Sequence, residues 1–480
     1  MTFVGEAMLF NTWTFAVFFV VVYSAYRLLP RRGQNALLLV ASYVFYGAWD
    51  YRFLALLLTS TALDYFCGRA IYRAKDGRQR RLFLILTVVA NLCFLGFFKY
   101  FNFFAESLTA LLSLFGLAPS LPTLNVVLPV GISFYTFQSM SYTIDIYRGQ
   151  LKPSTSFFEY ATFVAFFPQL VAGPINRAPR LLPQFGRTRV ITWEHIRSGS
   201  WLIAWGLFKK MVVADNMAPI VNAAFADPSK YQGLDLVLAV NAFAFQVYGD
   251  FSGYSDMARG IARVMGFDLM VNFDQPYFAV SPSDFWRRWH ISLSTWLRDY
   301  LYISLGGNRV GKAATYRNLM ITMLLGGLWH GAAWHFVVWG LYHGIVLSIY
   351  RNLGRVVDWQ SAKTAAGRTA WWLLLLVIMY GLTCLGWLIF RAPDMNTIVA
   401  FLQAIPSRFA LSDLGAEWLR ATVFYCWLLW AVEIWQFAVK DAAAVLNARW
   451  ILRLNAWLLA VASIAFLSAG QGKTFIYFAF

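Results

Sequence analysis

Charge is scarce in this sequence. Only 13% of its 480 residues are Asp, Glu, Lys or Arg, against about 25% in an ordinary soluble domain. So few charges could not cover the surface of a water-soluble chain, which excludes a soluble globular architecture. Acidic residues are the scarcer sign, 23 against 40 Lys and Arg, leaving a formal charge of +17. In a soluble protein that excess would point to nucleic acid. Here the basic residues fall in short polar breaks between apolar runs and make no surface of their own, so the sequence carries no nucleic-acid role. Cysteine is limited to Cys67, Cys93, Cys384 and Cys426. None forms a CxxC pair and all lie in apolar surroundings, which argues against disulfides and zinc and reads as buried thiols in a helix bundle. The five histidines include no HExxH, and there is no GxSxG. Gly472, Lys473 and Thr474 imitate the end of a P-loop, but the first glycine of that motif would fall at Leu467, so no nucleotide site is read there.

What is abundant is apolar: 59% of residues are hydrophobic and 18% aromatic. A membrane helix needs about 20 apolar residues, and such runs follow one another almost end to end. Short alternating segments, the mark of a barrel, are absent. The expectation is an all-α, multi-pass protein in a lipid bilayer with roughly ten to twelve spans, some short or re-entrant. The first run, Leu9 to Leu29, has its basic flank behind it at Arg27, Arg31 and Arg32, and reads as a retained span with its N-terminus outside. The loops Arg73–Arg81 and Arg309–Arg317 then face the cytoplasm. The Pro168–Pro183 stretch reads as a polar loop or a re-entrant segment.

The segment Ser281–Tyr300, SPSDFWRRWHISLSTWLRDY, begins with a helix-start signal: Ser281, Pro282 and then Asp284. Trp286, Trp289, Leu293, Trp296, Leu297 and Tyr300 recur at helical spacing, with Arg287, Arg288 and Arg298 off that stripe. This predicts one amphipathic helix at the membrane interface, its Trp residues as anchors.

His330 lies in LLGGLWHGAAWHF, between basic residues on both sides: Arg309, Lys312 and Arg317 before it, Arg351, Arg355 and Lys363 after it. If both basic loops are cytoplasmic, residues 318–350 must enter the membrane and return. From Asn318 to Trp329 a helix climbs about 18 Å, against a hydrocarbon core of about 30 Å, so His330 would lie deep. Were 318–350 one tilted span, His330 would still be near its middle. An ionisable group at that depth defaults to a functional reading, with a neutral, hydrogen-bonded bundle histidine as the alternative. His335, Trp339 and His343 share a helix face and read as packing. His195, beside Glu194 and Arg197, reads as an exposed loop residue. Asp250, Ser252, Ser255 and Asp256 form a second polar cluster, suited to helix pairing, a water-lined cavity or an ion path.

The stretches FWRRWHISLSTWLRDYLYISLGGNR and RNLMITMLLGGLWHGAAWHFVVWGLYHG resemble the signature of the membrane-bound O-acyltransferase superfamily. LPVGISFYTFQSMSYTIDIYRG, FPQLVAGPINR and YGDFSGYSDMARGIARVMGF are similar to its bacterial alginate O-acetylation branch, as is the closing FIYFAF. The resemblance implies a single integral membrane domain. Its parts are N-terminal helices over 1–125, a signature core over 126–350 holding the interfacial helix 281–300, and C-terminal helices over 351–480. It implies a ring of helices around a central tunnel, His330 as the catalytic histidine and His290 as its partner. It further implies acyl-CoA, here acetyl-CoA, or an acyl carrier as the donor, no bound cofactor, and periplasmic acetyltransferase partner proteins at a bacterial inner membrane. Arg287, Arg288, Asp250, Asp256 and Trp329 are the candidate substrate contacts, the two arginines for coenzyme A phosphates. The teichoic-acid D-alanylation, peptidoglycan and cellulose acylation subunits share these motifs, so the polymer stays open. From hydropathy alone, so does a polysaccharide or lipid transporter.

Overall fold

A computed structural model of the chain describes residues 8–117, 121–124, 127–354 and 364–469. Arg355, Lys363, the Gly472, Lys473 and Thr474 triplet and the closing FIYFAF lie outside the described residues. Every regular element among the described residues is helical. Among the described residues six helices are long and apolar enough to cross a membrane: Phe53–Arg73, Gly77–Leu114, Gly233–Val264, Ala366–Arg391, Asp413–Val439 and Trp450–Leu467. The chain is thus a multi-pass membrane protein. The expected ten to twelve spans are not all of this kind. Arg31–Asp50, Ile132–Tyr147, Lys312–His330 and Trp334–Leu353 run only 16 to 20 residues and carry polar groups along their length.

The chain groups into two compact units, Met1–Ser200 with Ala258–Met270, and Trp201–Met257 with Val271–Phe480. In the first unit, polar side chains mark the helix starts: Thr12 accepts from the Phe15 N–H, and Ser156 from the Glu159 N–H. Each such cap contributes about 1 kcal/mol. Helices Phe53–Arg73 and Gly77–Leu95 are joined by a buried hub in which the Asp64 carboxylate accepts from the Thr87 hydroxyl and the Asn91 amide, while Ser60 donates to Asn91. Much of the apolar surface of Gly77–Leu114 stays exposed, including Leu86, Val89, Phe104 and Leu111. Cys93 is exposed on the same helix rather than buried, as only Cys67 and Cys426 are; all four thiols are free. The Pro168–Pro183 stretch is a buried break as far as Asn176 and then enters helix Ala178–Gly186, on which Pro179, Arg180 and Pro183 are exposed. Gln169 and Asn176 are sealed inside, and Asn176 donates to the Gln169 side chain at 3.0 Å.

The second unit has an aromatic core that includes Phe243, Trp289, Trp339, Trp387 and Phe390. Residues 312–353 form a hairpin, not one long span. Helix Lys312–His330 ends at Gly331, and helix Trp334–Leu353 begins after an extended Ala333. The first arm starts at Lys312, six residues before the expected Asn318, and so rises about 28 Å. Glycines let the arms touch. A Cβ on Gly340 would strike the Met323 carbonyl oxygen and approach the Leu324 Cα to 3.0 Å; one on Gly327 would strike the Phe336 carbonyl oxygen. His330 sits at the apex of this hairpin.

Candidate active site

The helix-start signal at Ser281 holds: its side chain accepts from the Asp284 N–H at 3.1 Å, with Pro282 in the first turn. The single helix predicted for 281–300 does not. Pro282–Arg288 stops at an extended Trp289, and Ile291–Trp296 begins from His290, which sits in the left-handed region with φ 42° and ψ 54°. Such backbone costs a side-chain-bearing residue about 1–2 kcal/mol. The break has a structural source. The Ile291 N–H donates to the Asn272 carbonyl and the Asp274 N–H to the Arg288 carbonyl, both at 2.9 Å. The segment before the helix therefore replaces the helical bonds on either side of His290. The Trp stripe changes role as a result. Trp289 is 1% exposed and packs on Phe273 and Trp387, with ring centroids 4.9 and 4.7 Å away, rather than anchoring at an interface.

The break and the hairpin apex meet. The rings of His290 and His330 lie 6.3 Å apart, centroid to centroid. Trp329 stands beside both, at 5.8 and 5.2 Å. Trp339 and Phe390 complete the surroundings of His330 at 5.0 and 5.4 Å. His290 is 0% and His330 4% exposed. His330 also lines a cleft with about 590 Å3 of space free of protein atoms, its mouth included. Trp286, Leu297, Met323 and Trp339 form apolar wall; Ser294, Tyr302 and Arg298, the last paired with Asp299 at 2.7 Å, also line it. The Nε1–H groups of Trp286 and Trp339 are buried and meet no hydrogen-bond acceptor among the described residues. An apolar cleft with one imidazole, indole donors and a cation suits a neutral acyl group that develops negative charge during reaction.

The other candidates are placed differently. Arg287 is exposed, and Arg288 is tied to Asp284 at 3.0 Å and to the Asp274 carbonyl. Neither lines the cleft; Arg298 does. Asp250 and Asp256 pair with two lysines that sequence reasoning missed. Lys210 reaches Asp250 at 2.7 Å and Asp215 at 2.8 Å, and Lys209 reaches Asp256 at 2.6 Å. Both lysines are almost fully buried in a π-helical turn, Lys209–Ala214. Their signal was available, since two cations inside an apolar run demand partners. His343 is buried and packs on Phe285, Trp286 and Trp339, and His335 is half-buried against Phe336, while Trp339 of the same face also lines the cleft. His195 belongs to the first turn of helix Trp193–Phe208 and bonds to Thr192 at 2.7 Å, which makes it part of a helix start rather than a loop. Among the described residues no group of three or more His, Cys, Asp and Glu side chains is gathered as a metal site would gather them.

Comparison with known proteins bears on this arrangement. The model of the membrane-bound O-acyltransferase family matches residues 148–388, a range holding both histidines. The chain is 43% identical to a probable alginate O-acetylase of Azotobacter vinelandii, over 90% of this chain and 85% of that protein. It is 40% identical to a probable alginate O-acetylase of Pseudomonas putida over 98% of this chain and all of that one. It is also similar to a peptidoglycan O-acetyltransferase of Helicobacter pylori, 34% identical over 98% of each chain.

Proposed function

This chain belongs to the membrane-bound O-acyltransferase family and is an O-acyltransferase, and we propose that it takes acetyl groups from a cytoplasmic thioester, acetyl-CoA or an acetylated carrier, for the O-acetylation of an exported polysaccharide such as alginate. The observation that carries this reading is His330 on the wall of an apolar cleft with His290 beside it. The acceptor hydroxyl oxygen attacks the thioester carbonyl carbon while His330 takes the hydroxyl proton. The carbon–sulfur bond breaks, the thiolate leaves, and the proton on His330 passes to it, restoring the neutral imidazole. The indole N–H groups of Trp339 and Trp286 are suited to meet the carbonyl oxygen as it gains charge. Arg298 at the cleft draws in the phosphates of the donor. Periplasmic acetyltransferase partner proteins receive the acetyl group on the far side of a bacterial inner membrane. Alginate is supported over peptidoglycan by the higher identity to alginate-type relatives, 40% against 34% over 98% of this chain.

The test uses inverted membrane vesicles holding the full chain, with its partner proteins and polymannuronate or peptidoglycan fragments enclosed in the lumen and acetyl-labelled coenzyme A supplied outside. Label on polymannuronate is expected; label on peptidoglycan alone would change the polymer and leave the chemistry. General-base catalysis is worth about 10² to 10⁴ in rate. His330→Ala and His330→Gln are both expected to lose that much, since an amide can hydrogen-bond but cannot accept the proton. Near-normal turnover by a folded His330→Gln protein removes His330 from the base role.

A further inference from the structure

Asn272, which is 1% exposed, holds His290 at its break. Its carbonyl takes the Ile291 N–H. Its side-chain oxygen Oδ1 takes the Ser292 N–H at 3.2 Å and the Ser292 hydroxyl at 2.9 Å, and lies 3.2 Å from Nδ1 of His290. Its amide nitrogen donates to the Ser255 hydroxyl at 3.1 Å. A backbone N–H can only donate, so the Asn272 atom it meets is the carbonyl oxygen and the amide orientation is fixed. That oxygen is an acceptor only. A bare Nδ1 at 3.2 Å would set one lone pair against another. The Ser292 hydroxyl, 3.5 Å from Nδ1, gives its single hydrogen to Oδ1 at the shorter 2.9 Å, so the ring nitrogen facing Asn272 carries a hydrogen of its own.

We infer that Asn272 is a positioning residue for acyl transfer, holding His290 as the Nδ1–H tautomer so that Nε2 keeps the lone pair. A neutral imidazole has one donor and one acceptor nitrogen, and the hydrogen bond at one decides the other. In this form Nε2 of His290 accepts a hydrogen bond from a second hydroxyl of the acceptor and so orients it, leaving the proton of the attacking hydroxyl to His330. It does not donate to the thioester oxygen, which leaves that task to other groups. Asn272 does two jobs at once: its backbone carbonyl and side-chain oxygen bond the N–H groups that follow His290, and the same side chain sets which nitrogen faces the reaction. The catalytic consequence rests on the O-acyltransferase reading of the histidine pair; the tautomer itself does not.

The test is nitrogen-15 NMR of the full chain in detergent with labelled histidine, the His290 signals assigned by difference from His290→Gln. A protonated Nδ1 and an unprotonated Nε2 are expected. Asn272→Asp keeps an acceptor oxygen against Nδ1 and should keep this tautomer. Asn272→Leu fills the space without an acceptor. It should release the tautomer and lower kcat by about 10- to 100-fold, the usual cost of losing a residue that orients a functional histidine, with KM for acetyl-CoA unchanged. Asn272→Asp should recover kcat above the Leu variant. A wild-type Nε2–H tautomer overturns the inference. So does a folded Asn272→Leu protein with full kcat, or an Asn272→Asp protein that loses the tautomer. Should Asn272→Leu fail to fold, the wild-type and Asn272→Asp spectra still decide. A chain that shows the expected tautomer but transfers no acetyl group would refute the reaction while leaving the tautomer standing.

Discussion

Asp250 is either a substrate contact or half of a structural ion pair, and Lys210 separates the two. Its ammonium lies within 2.8 Å of both Asp215 and Asp250, and the three side chains are 5%, 4% and 2% exposed. Replacing Lys210 by Met keeps most of the stem and removes the charge. Two buried carboxylates then lose the ammonium that bridges them. Breaking a buried pair by removing one partner costs about 3–5 kcal/mol, a large part of a typical folding free energy of about 5–15 kcal/mol. Lys210→Met should therefore lower thermal stability of the purified chain sharply. Asp250→Asn alone should cost less, because Lys210 keeps Asp215. The double variant should recover part of the loss, with a coupling of about 0.5–3 kcal/mol. The assay pairs thermal unfolding in detergent with acetyl transfer per folded molecule. A structural Asp250 predicts that activity follows the folded fraction through all three variants. An Asp250→Asn protein of wild-type stability that transfers nothing would refute this reasoning and return Asp250 to the substrate. So would a Lys210→Met protein as stable as the parent.

Two further outcomes follow from the same geometry. Gly340→Ala should force the hairpin arms apart and cost about 1–3 kcal/mol, because its Cβ would meet the Met323 and Leu324 backbone. Gly381→Ala, with nothing within 4 Å of its Cβ, should be neutral or stabilising; thermal unfolding compares them, and equal behaviour would discard the close-approach argument. Trp339→Phe keeps the ring and removes the N–H, and should lower kcat by about 10² to 10³ if that group meets the oxyanion. Unchanged kcat in a folded Trp339→Phe protein would leave it a packing residue.

The sequence exposed the fold class and His330 for the same reason: both depend on local composition. An ionisable residue in an apolar run, with glycines beside it, stands out within a window of a dozen residues. The hairpin was legible too, from the basic residues on both sides, although its first arm starts earlier than the apolar run does. His290 was legible only through resemblance. The period of 281–300 continues across the residue at which the helix breaks. The break comes from the backbone bonds of Asn272 to Ile291 and of Asp274 to Arg288, which join residues well apart in the chain, and no local pattern encodes such pairings. Arg298 reads in the sequence as lying off the Trp stripe with Arg287 and Arg288, and only the latter two are candidates there for the donor's phosphates. Once the helix breaks and passes into the π-helical turn Leu297–Tyr302, the three arginines no longer share a face, and only Arg298 reaches the cleft.

Backbone irregularity marks the site independently of side-chain identity. In a membrane, a peptide group outside regular helix must be buried in protein or line a cavity, because lipid offers it no partner. In the second unit the irregular points around the cleft are the His290 break, the Leu297–Tyr302 π-helical turn and the Gly331–Ala333 link. The first brings His290 against His330, the second contributes Leu297, Arg298 and Tyr302 to the cleft wall, and the third caps the arm that ends in His330. A continuous helix through 281–302 would have satisfied its own backbone at no strain. It would also have kept His290 in step with the Trp stripe and Arg298 in step with Arg287. The chain instead bends its backbone where the histidines meet, and it secures the bend with the polar side chain of Asn272, which no membrane-packing requirement explains.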